Sequence, residues 1–523
     1  MTNNLRANCP QAQVGPIATP AWPAPVPAPT PPAESAESVS IRIMRNAAWL
    51  LCSEGITKGL FVAANIMLAR ILSAADYGIL SLAQSWVIYA ALVMDLGIMM
   101  YGQAEAARRN DRAGIAALAR ELLPLRATLG VLVFIALVVL LPLLTSSRLR
   151  LTMCAASLFL VAQSLSAEWL FRGKERFDVV LIGNGAGAAL FLAAIVAIAA
   201  LRSDALLKAA LAWSFSAFAM AAVYLAFLRG LAGWPRSLRI SASSWRRHAR
   251  ESGFFALSNV IAESYRLLPF FLLGFLASAR EVGLFAAPLR LVVNAASLGF
   301  LVPMAFYPAS ARLFHERPAL FAESRRTLVM TMLVLGAPSA VIGLRLAGPI
   351  VTLVFGQQYR DSASILAVLV WLLPLYFVRY VYGTTILATG FQRLHTIASA
   401  AAAMVALLAG VPLVRYFGGT GAAVSLIVAE TTMGAAMIAI AARVHHEASI
   451  PRPSKLIRLG LLTALVWLCG FCSEGVLGPL PLGILMIATY ITGLSVLRLA
   501  DWQGLFQRFA SNGVIRVRPS ESN

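Results

Sequence analysis

The chain has 523 residues, of which 59% are hydrophobic and only 13% charged, and its formal net charge is +20. A water-soluble core cannot absorb that much apolar surface, so the composition excludes a soluble globular protein. The positive charge does not indicate nucleic acid, because Lys and Arg fall mainly in short connections between long apolar segments. The sequence therefore predicts an all-α polytopic membrane protein, and the lack of period-two alternation excludes a β-barrel.

The chain begins with a proline-rich tail, which does not look like a cleaved signal peptide. Nine prolines interleaved with alanines occupy residues 10–32, a composition that favours extended chain over a packed core. We therefore expect residues 1–40 to form a disordered cytoplasmic tail.

Fourteen predominantly apolar segments follow, each long enough for the roughly 20 residues that an ~30 Å hydrocarbon layer requires. The ninth is unusually long and contains Pro338, Gly343 and Pro349, so we expect it to tilt or kink. In chain order the predicted spans are 46–69, 77–100, 122–145, 149–171, 179–201, 205–228, 251–277, 283–307, 327–355, 362–389, 394–415, 419–442, 457–474 and 480–500.

An internal repeat divides these spans into two similar halves. The turn Leu72-Ser-Ala-Ala-Asp-Tyr-Gly78 before the second span is echoed by Leu276-Ala-Ser-Ala-Arg-Glu-Val-Gly283 before the eighth. Six spans followed by six in the same orientation predict two six-helix lobes related by an axis along the membrane normal. We expect an N-lobe over 41–229, a basic cytoplasmic linker on anionic headgroups over 230–250, a C-lobe over 251–442, two extra helices over 443–500 and a cytoplasmic tail over 501–523.

The distribution of basic residues predicts the orientation of the chain. With span ends read to within a few residues, we assign 30 of the 43 Lys and Arg residues to one side of the predicted spans, 9 to the other and four to the span interiors. The positive-inside rule then places both termini in the cytoplasm of a bacterium, with the spans in its inner membrane.

Short motifs at the span boundaries carry a family resemblance. The segments LARILSAADYGIL (68–80), MDLGI (94–98), EWLFRGKERF (168–177), VGLFAAPLRL (282–291) and VFGQQYRDSASIL (354–366) resemble the polysaccharide-biosynthesis exporters, the Wzx/PST-type oligosaccharide flippases of the MOP superfamily. That superfamily also contains the MATE transporters and the lipid II flippase. The resemblance covers about residues 45–500. It implies a two-lobed V-shaped bundle that moves an undecaprenyl-diphosphate-linked oligosaccharide for O-antigen, capsule or exopolysaccharide synthesis by alternating access.

Charged residues inside the spans are candidate site residues, because a charge at the centre of a bilayer costs about 2.5–3.5 kcal/mol and must face protein or water. Lys58 follows Glu54 in the favourable i, i+4 order, Arg266 follows Glu263, and Arg290 has no acid within a turn. Two-lobed members of the superfamily line their central cleft chiefly with the first two helices of each lobe, which contain all three groups. We therefore expect a cationic chamber for a diphosphate, unless the two pairs only lock helices together.

Three further charges lie within the predicted spans. Arg379 lies among tyrosines and is expected either to contact sugar or to stack on an aromatic ring. Asp95 and Glu430 have no basic neighbour in their own spans. They are candidates for ion or proton coupling, or for hydrogen-bonded contacts between helices.

Other function classes remain as alternatives. A MATE-like drug/ion antiporter and a lipid II flippase share the expected fold, whereas a membrane O-antigen polymerase or glycosyltransferase would need a large periplasmic loop that the spacing does not provide. The sequence contains no Walker A motif, and Cys469 and Cys472 lack further ligands at metal spacing, so we expect no enzymatic activity, cofactor or metal. The expected partners are a lipid-linked oligosaccharide, anionic lipids and, further, polysaccharide polymerase and chain-length or export machinery, with no nucleic acid.

Overall fold

The computed structural model describes residues 36–109, 111–143, 146–201, 204–232, 242–445, 447, 449–473 and 476–497. The predicted tails over 1–40 and 501–523 lie outside these residues, except that the first helix already begins at Ala36. Helices account for nearly all of the described chain. The N-lobe contains α1 (Ala36–Ile71), α2 (Ala74–Asp95), α3 (Ile98–Arg108), α4 (Arg112–Leu140), α5 (Ser147–Ser164), α6 (Glu168–Gly173), α7 (Phe177–Leu201) and α8 (Ala205–Ala232).

The C-lobe repeats this arrangement, and two further helices follow it. Its helices are α9 (Ala242–Leu276), α10 (Ala279–Ala305), α11 (Tyr307–Glu316), α12 (Pro318–Arg345), α13 (Ala347–Phe355), α14 (Ser362–Leu369), α15 (Leu372–Ala388) and α16 (Gln392–Val444). The last two are α17 (Pro453–Cys472) and α18 (Pro479–Val496), which pack on each other and on the outer side of α12.

Equivalent N-caps explain the repeated turns. Ser73 begins α2 by accepting a hydrogen bond from the backbone N–H of Asp76 at 3.1 Å. Ser278 does the same for Glu281 at the start of α10, at 3.3 Å. Each cap satisfies an N–H that a helix would otherwise leave unpaired, which is worth about 1 kcal/mol. The repeat in the sequence is therefore a repeat of helix starts.

Eleven of the described helical segments are long and apolar enough to cross a membrane. One of them, α16, bends at Gly418, whose φ of 53° and ψ of −130° interrupt the helix between the predicted eleventh and twelfth spans. The 36-residue α1 and the 35-residue α9 also span the fold but carry more charge. Counting α16 twice and adding α1 and α9 gives the fourteen crossings expected, although that number stays a prediction.

Breaks within the helices follow local sequence. The long ninth span ends as α12 at Arg345 and resumes as α13 at Ala347, between Gly343 and Pro349, so the predicted kink is present. The second span breaks between α2 and α3, where Leu96 and Gly97 adopt left-handed conformations, which restrict side chains other than Gly.

Two sequence-based expectations need correction. Residues 242–250 were expected to belong to a linker on lipid headgroups, but they form the first turns of α9. The buried His248 ring bonds Tyr101 of α3 and Glu121 of α4, each at 3.0 Å, so this segment packs on the N-lobe. Arg126 and Arg325 were counted among loop residues, but both are buried inside helices. That correction reduces the 30 basic residues on the majority side to 28 and leaves the asymmetry intact.

Candidate functional site

The first charged group lies on α1 and α6 and is called here the α1 cluster: Glu54, Lys58, Glu168 and Arg172. The Nζ atom of Lys58 lies 3.1 Å from Oε2 of Glu54, so these two residues form the i, i+4 pair. Arg172 bridges Glu54 at 3.7 Å and Glu168 at 2.7 Å. Lys58 and Glu54 remain 38% and 32% exposed, and charges in a membrane helix tolerate such exposure where they face protein or a water-filled space.

A second group, the α9 pair, consists of Glu263 and Arg266. The Nη1 atom of Arg266 donates to both carboxylate oxygens of Glu263, at 3.0 and 2.9 Å. The side chains are 36% and 40% exposed. Like Lys58, Arg266 is therefore paired with an acid on its own helix while part of its guanidinium stays accessible.

A third group, the C-lobe pair, joins Arg379 of α15 to Glu430 of α16. The Nε atom of Arg379 lies 2.8 Å from Oε2 of Glu430, and the exposed fractions are 13% and 0%. The guanidinium carbon also lies 5.2 Å from the ring centre of Tyr376 and 4.8 Å from that of Tyr380, within cation–π range. Glu430 is thus not isolated, and the acid and aromatic rings already surround Arg379.

Asp95 also has a partner that its own span does not contain. Its Oδ1 atom lies 3.2 Å from Nη2 of Arg126, which is only 2% exposed. Arg126 also donates to the carbonyl of Ser166 at 2.8 Å, and Asp95 accepts from the backbone N–H of Met99 at 3.1 Å. This ion pair therefore holds together the break between α2 and α3 and the break between α5 and α6.

Arg290 of α10 differs from the other cations because its partners are neutral and belong to the other lobe. We call this arrangement the Arg290 clamp. Its guanidinium donates to Asn65 of α1 and to three residues of α2: Tyr77 at 3.3 Å, Ser81 at 3.3 Å and Gln84 at 2.5 Å. Among the described residues no carboxylate lies within ion-pair distance of Arg290. Its bonds therefore join the two lobes without neutralising its charge.

The lobes also meet backbone to backbone next to the Arg290 clamp. A Cβ atom on Gly78 would lie 1.8 Å from the carbonyl oxygen of Ala279, and one on Gly283 would lie 1.8 Å from that of Ala74. Only glycine permits this approach, because no real Cβ comes so close to an oxygen. The two repeated turns therefore meet, and they close one end of the interface between the lobes.

At the closed end, each lobe also donates side-chain hydrogen bonds to the C-terminal carbonyls of a helix in the other lobe. We call this the cap exchange. The Arg70 guanidinium at the end of α1 donates to the carbonyls of Leu353 and Val354 in the last turn of α13, the latter at 2.9 Å. Gln358 returns the contact by donating to the carbonyls of Ala69 at 2.7 Å and Leu72 at 3.2 Å. Each lobe thus satisfies carbonyls that the other lobe's helix leaves unpaired at its C-terminus.

Helical rise gives the depth of these groups below the closed end, at 1.5 Å per residue. Lys58 lies thirteen residues before Ile71 and Arg290 eleven residues after Ala279, about 20 Å and 17 Å respectively. Arg266 precedes Leu276 by ten residues, about 15 Å. The helix positions of all three therefore lie near the middle of an ~30 Å apolar layer. The Arg290 side chain, however, reaches back to Tyr77, three residues into α2, and thus towards the closed end. Asp95 lies twenty-one residues after the start of α2, about 32 Å away at the opposite boundary.

The structure therefore sorts the predicted residues into separate groups. No hydrogen bond or ion pair in the described part of the chain joins any two of the four predicted cations Lys58, Arg266, Arg290 and Arg379. Sequence reasoning missed Arg172 and Arg126, which had been assigned to loops, and the neutral acceptors of α2 around Arg290. The Ser and Gln spacing on α2 was the available signal, because Ser81 and Gln84 lie one turn apart on one face.

Several solved structures of low sequence identity share this fold. The chain is similar to the lipid II flippase MurJ in an inward closed conformation, with a TM-score of 0.70 and 10% identity over 87% of this chain and 99% of that one. It is also similar to a multidrug resistance MATE family transporter of the MOP superfamily in an inward-facing conformation (TM-score 0.60, 14% identity, 76% and 98% covered). A third similar structure is the eukaryotic MATE transporter AtDTX14 (TM-score 0.51, 14% identity, 80% and 99% covered).

The sequence defines the family more closely than the fold does. No curated protein matches the chain. The family model described as polysaccharide biosynthesis protein matches residues 43–314, which is more than half of the chain. The chain belongs to this polysaccharide biosynthesis protein family. This fold and the eleven described helices that are long and apolar enough to cross a membrane support a multi-pass membrane protein.

Proposed function

We propose that this protein flips a lipid-linked oligosaccharide, carried on undecaprenyl diphosphate, across the bacterial inner membrane for O-antigen, capsule or exopolysaccharide synthesis. Family membership supports the polysaccharide part of this proposal. The Arg290 clamp supports the diphosphate part, because it holds a positive charge between the two lobes with neutral partners. A guanidinium released from neutral acceptors can bind a phosphate bidentately without first breaking an ion pair.

The other candidate cations would assist to different extents. Lys58 and Arg266 are paired but remain accessible, so we propose that they attract the diphosphate as it enters the cleft between the lobes. Arg379 is buried with Glu430. Of the four candidate cations it therefore has the least support for contact with the substrate, which in its case would be the sugar. Asp95 and Glu430 would couple transport to an ion or proton only if their ion pairs with Arg126 and Arg379 break during the cycle.

Alternating access gives the proposed cycle. In the state seen here the turns at Gly78 and Gly283, the cap exchange and the Arg290 clamp all close the same end of the interface. We propose that this end is periplasmic and that both termini are cytoplasmic, as the basic residues predict. Rocking of the lobes would open this end and break the bonds of Arg290. The freed guanidinium would then face the diphosphate on its way out.

The proposal is tested by reconstituting the full chain in liposomes with a fluorescent undecaprenyl-diphosphate oligosaccharide and measuring how much becomes accessible to an impermeant reagent. We expect movement of this substrate in preference to lipid II or a cationic drug. The exposed Arg458 of α17 provides a matched control, so the variant Arg458→Gln should transport normally. Preferential movement of lipid II or of the drug would instead support the flippase or antiporter alternative. Chemical conversion of the lipid-linked oligosaccharide without its transport would support the glycosyltransferase or polymerase alternative.

Orientation is tested separately. Reporter fusions should show cytoplasmic activity after residue 510 and periplasmic activity near residues 148 and 204. A periplasmic C-terminus would contradict both the fourteen-span topology and the direction of opening.

A further inference from the structure

A separate cavity of about 440 Å³ lies at the end of the N-lobe away from the closed interface. Its lining comes from the start of α4, from α6 and the residues that follow it, and from the end of α8. The lining residues are Arg112, Phe171, Arg176, Ala226, Phe227, Gly230 and Leu231. Because α4 and α7 begin and α8 ends here, the cavity lies at the boundary where these helices leave the apolar layer.

Two guanidinium groups border this otherwise apolar cavity. Arg176 is anchored by Asp178, with three nitrogen–oxygen distances between 2.8 and 3.2 Å. Arg112 is exposed and donates only a long bond of 3.4 Å to the carbonyl of Gly230. Within the described ranges no carboxylate lies at ion-pair distance from Arg112. Its charge is therefore available to an anion in the cavity.

The apolar wall of the cavity continues onto the outer surface of the lobe. Phe227 is 37% exposed and Ala226 is also exposed, whereas Phe171 closes the inner wall and is only 1% exposed. A free phosphate would gain nothing from this wall. A molecule with a phosphate at one end and a hydrocarbon chain at the other would contact both the guanidinium groups and the phenyl rings.

We propose that this cavity binds an anionic membrane phospholipid, with its phosphate on Arg112 and the first part of an acyl chain against Phe227. The volume is within the range of pockets that hold small ligands, about 300–1,000 Å³. Arg112 is the main phosphate contact, since Asp178 already engages Arg176. The site is distinct from the proposed transport path and does not depend on the transported substrate.

The test measures thermal unfolding of the detergent-purified full chain during titration with three additives: dihexanoyl-phosphatidylglycerol, dihexanoyl-phosphatidylcholine and glycerol phosphate. We expect phosphatidylglycerol to raise the Tm of the unmodified protein more than the other two. Arg112→Gln should weaken its apparent affinity about fivefold, the factor that corresponds to ~1 kcal/mol per basic residue at an anionic lipid surface. Arg112→Lys should weaken it less, and Arg458→Gln should leave it unchanged.

Each other outcome would overturn the proposal. Equal stabilisation by phosphatidylcholine would mean that the site does not distinguish anionic from zwitterionic lipids. Equal stabilisation by glycerol phosphate would mean that the site binds a phosphate without an acyl chain. An unchanged affinity of Arg112→Gln for phosphatidylglycerol would show that the lipid does not bind in this cavity. Should Arg112→Gln fail to fold, Phe227→Ala takes its place. This variant alters only the exposed apolar wall. It should weaken the binding of phosphatidylglycerol and leave the binding of glycerol phosphate unchanged.

Discussion

Two arginines that look alike in the sequence occupy opposite kinds of environment. Arg379, inside the C-lobe, has an acid at 2.8 Å and two tyrosine rings around it. Arg290, at the interface between the lobes, bonds four neutral side chains of the other lobe. The first arrangement is internal to one lobe and needs no change when the lobes move. The second cannot survive a separation of the lobes.

This difference separates charges that maintain the fold from charges that depend on the conformational state. A buried ion pair is strongly destabilised when one partner is removed, because the other is left uncompensated. A guanidinium held by neutral oxygens can exchange them for a phosphate when the interface opens. The three predictions below test this distinction, from the largest expected effect to the smallest.

Removing the acid from the C-lobe pair should damage folding. In Glu430→Gln the buried Arg379 loses its counter-charge, and we expect a loss of about 3–5 kcal/mol in stability. Thermal unfolding in detergent measures it. The double variant Arg379→Gln/Glu430→Gln removes both charges and should recover most of the loss. Equal destabilisation of single and double variants would show that the pair itself does not matter.

Adding a methyl group at the closed end should push the lobes apart. In Gly283→Ala the new Cβ would meet the Ala74 carbonyl at 1.8 Å, and overpacking of this kind costs about 1–3 kcal/mol. That strain corresponds to a shift of about 5- to 150-fold towards the open state. The rate at which an impermeant thiol reagent labels Ala74→Cys, in a background without the five natural cysteines, reports the shift.

Gly59→Ala is the matched control for this experiment, because nothing lies within 4 Å of a Cβ at that position. It should not alter the labelling rate. Slow labelling in Gly283→Ala, equal to that of the control, would mean that the turns do not form the closing contact.

Breaking the cap exchange should have a smaller effect on the same measurement. Arg70→Gln and Gln358→Ala each remove two hydrogen bonds across the lobes. At ~0.5 kcal/mol per bond, the low end of the net range, the loss is about 1 kcal/mol in each variant. We expect labelling of Ala74→Cys to rise about fivefold in either variant. Arg360→Gln, an exposed neighbour, should have no effect. If the labelling rate rises in neither Arg70→Gln nor Gln358→Ala, these hydrogen bonds do not contribute to closure.

The sequence was sufficient for the helices and for contacts within one helix. The hydropathy of the spans and the repeated glycine-bearing turns are local features, so they predict the apolar part of each helix and the two similar lobes. The starts of α2, α4, α9 and α12 lie three to ten residues before the predicted spans. The Glu54–Lys58 and Glu263–Arg266 pairs follow from helical spacing alone. The break at Gly418 likewise falls between two predicted spans.

Contacts between helices were beyond this reasoning. Arg126 pairs with Asp95 on another helix and Arg379 pairs with Glu430, whereas Asn65 and Arg290 are 225 residues apart. No periodicity encodes which faces meet, because that depends on how whole helices pack. Arg126 was counted with the loop residues although it lies inside the predicted span 122–145, and α4 itself begins ten residues before that span, at Arg112. A charged first segment of a membrane helix reads as a loop when hydropathy alone is considered.

The most direct test compares transport per folded molecule in Arg290→Gln and in Arg379→Gln/Glu430→Gln, using the liposome assay with the undecaprenyl-diphosphate oligosaccharide. Arg290→Gln removes a charge that nothing in its own lobe needs, so this variant should fold normally and lose transport, with partial recovery in Arg290→Lys. The double variant should transport in proportion to the amount that folds. Loss of transport in a well-folded double variant would assign Arg379 or Glu430 the sugar-contact or coupling role, and normal transport by Arg290→Gln would contradict the account.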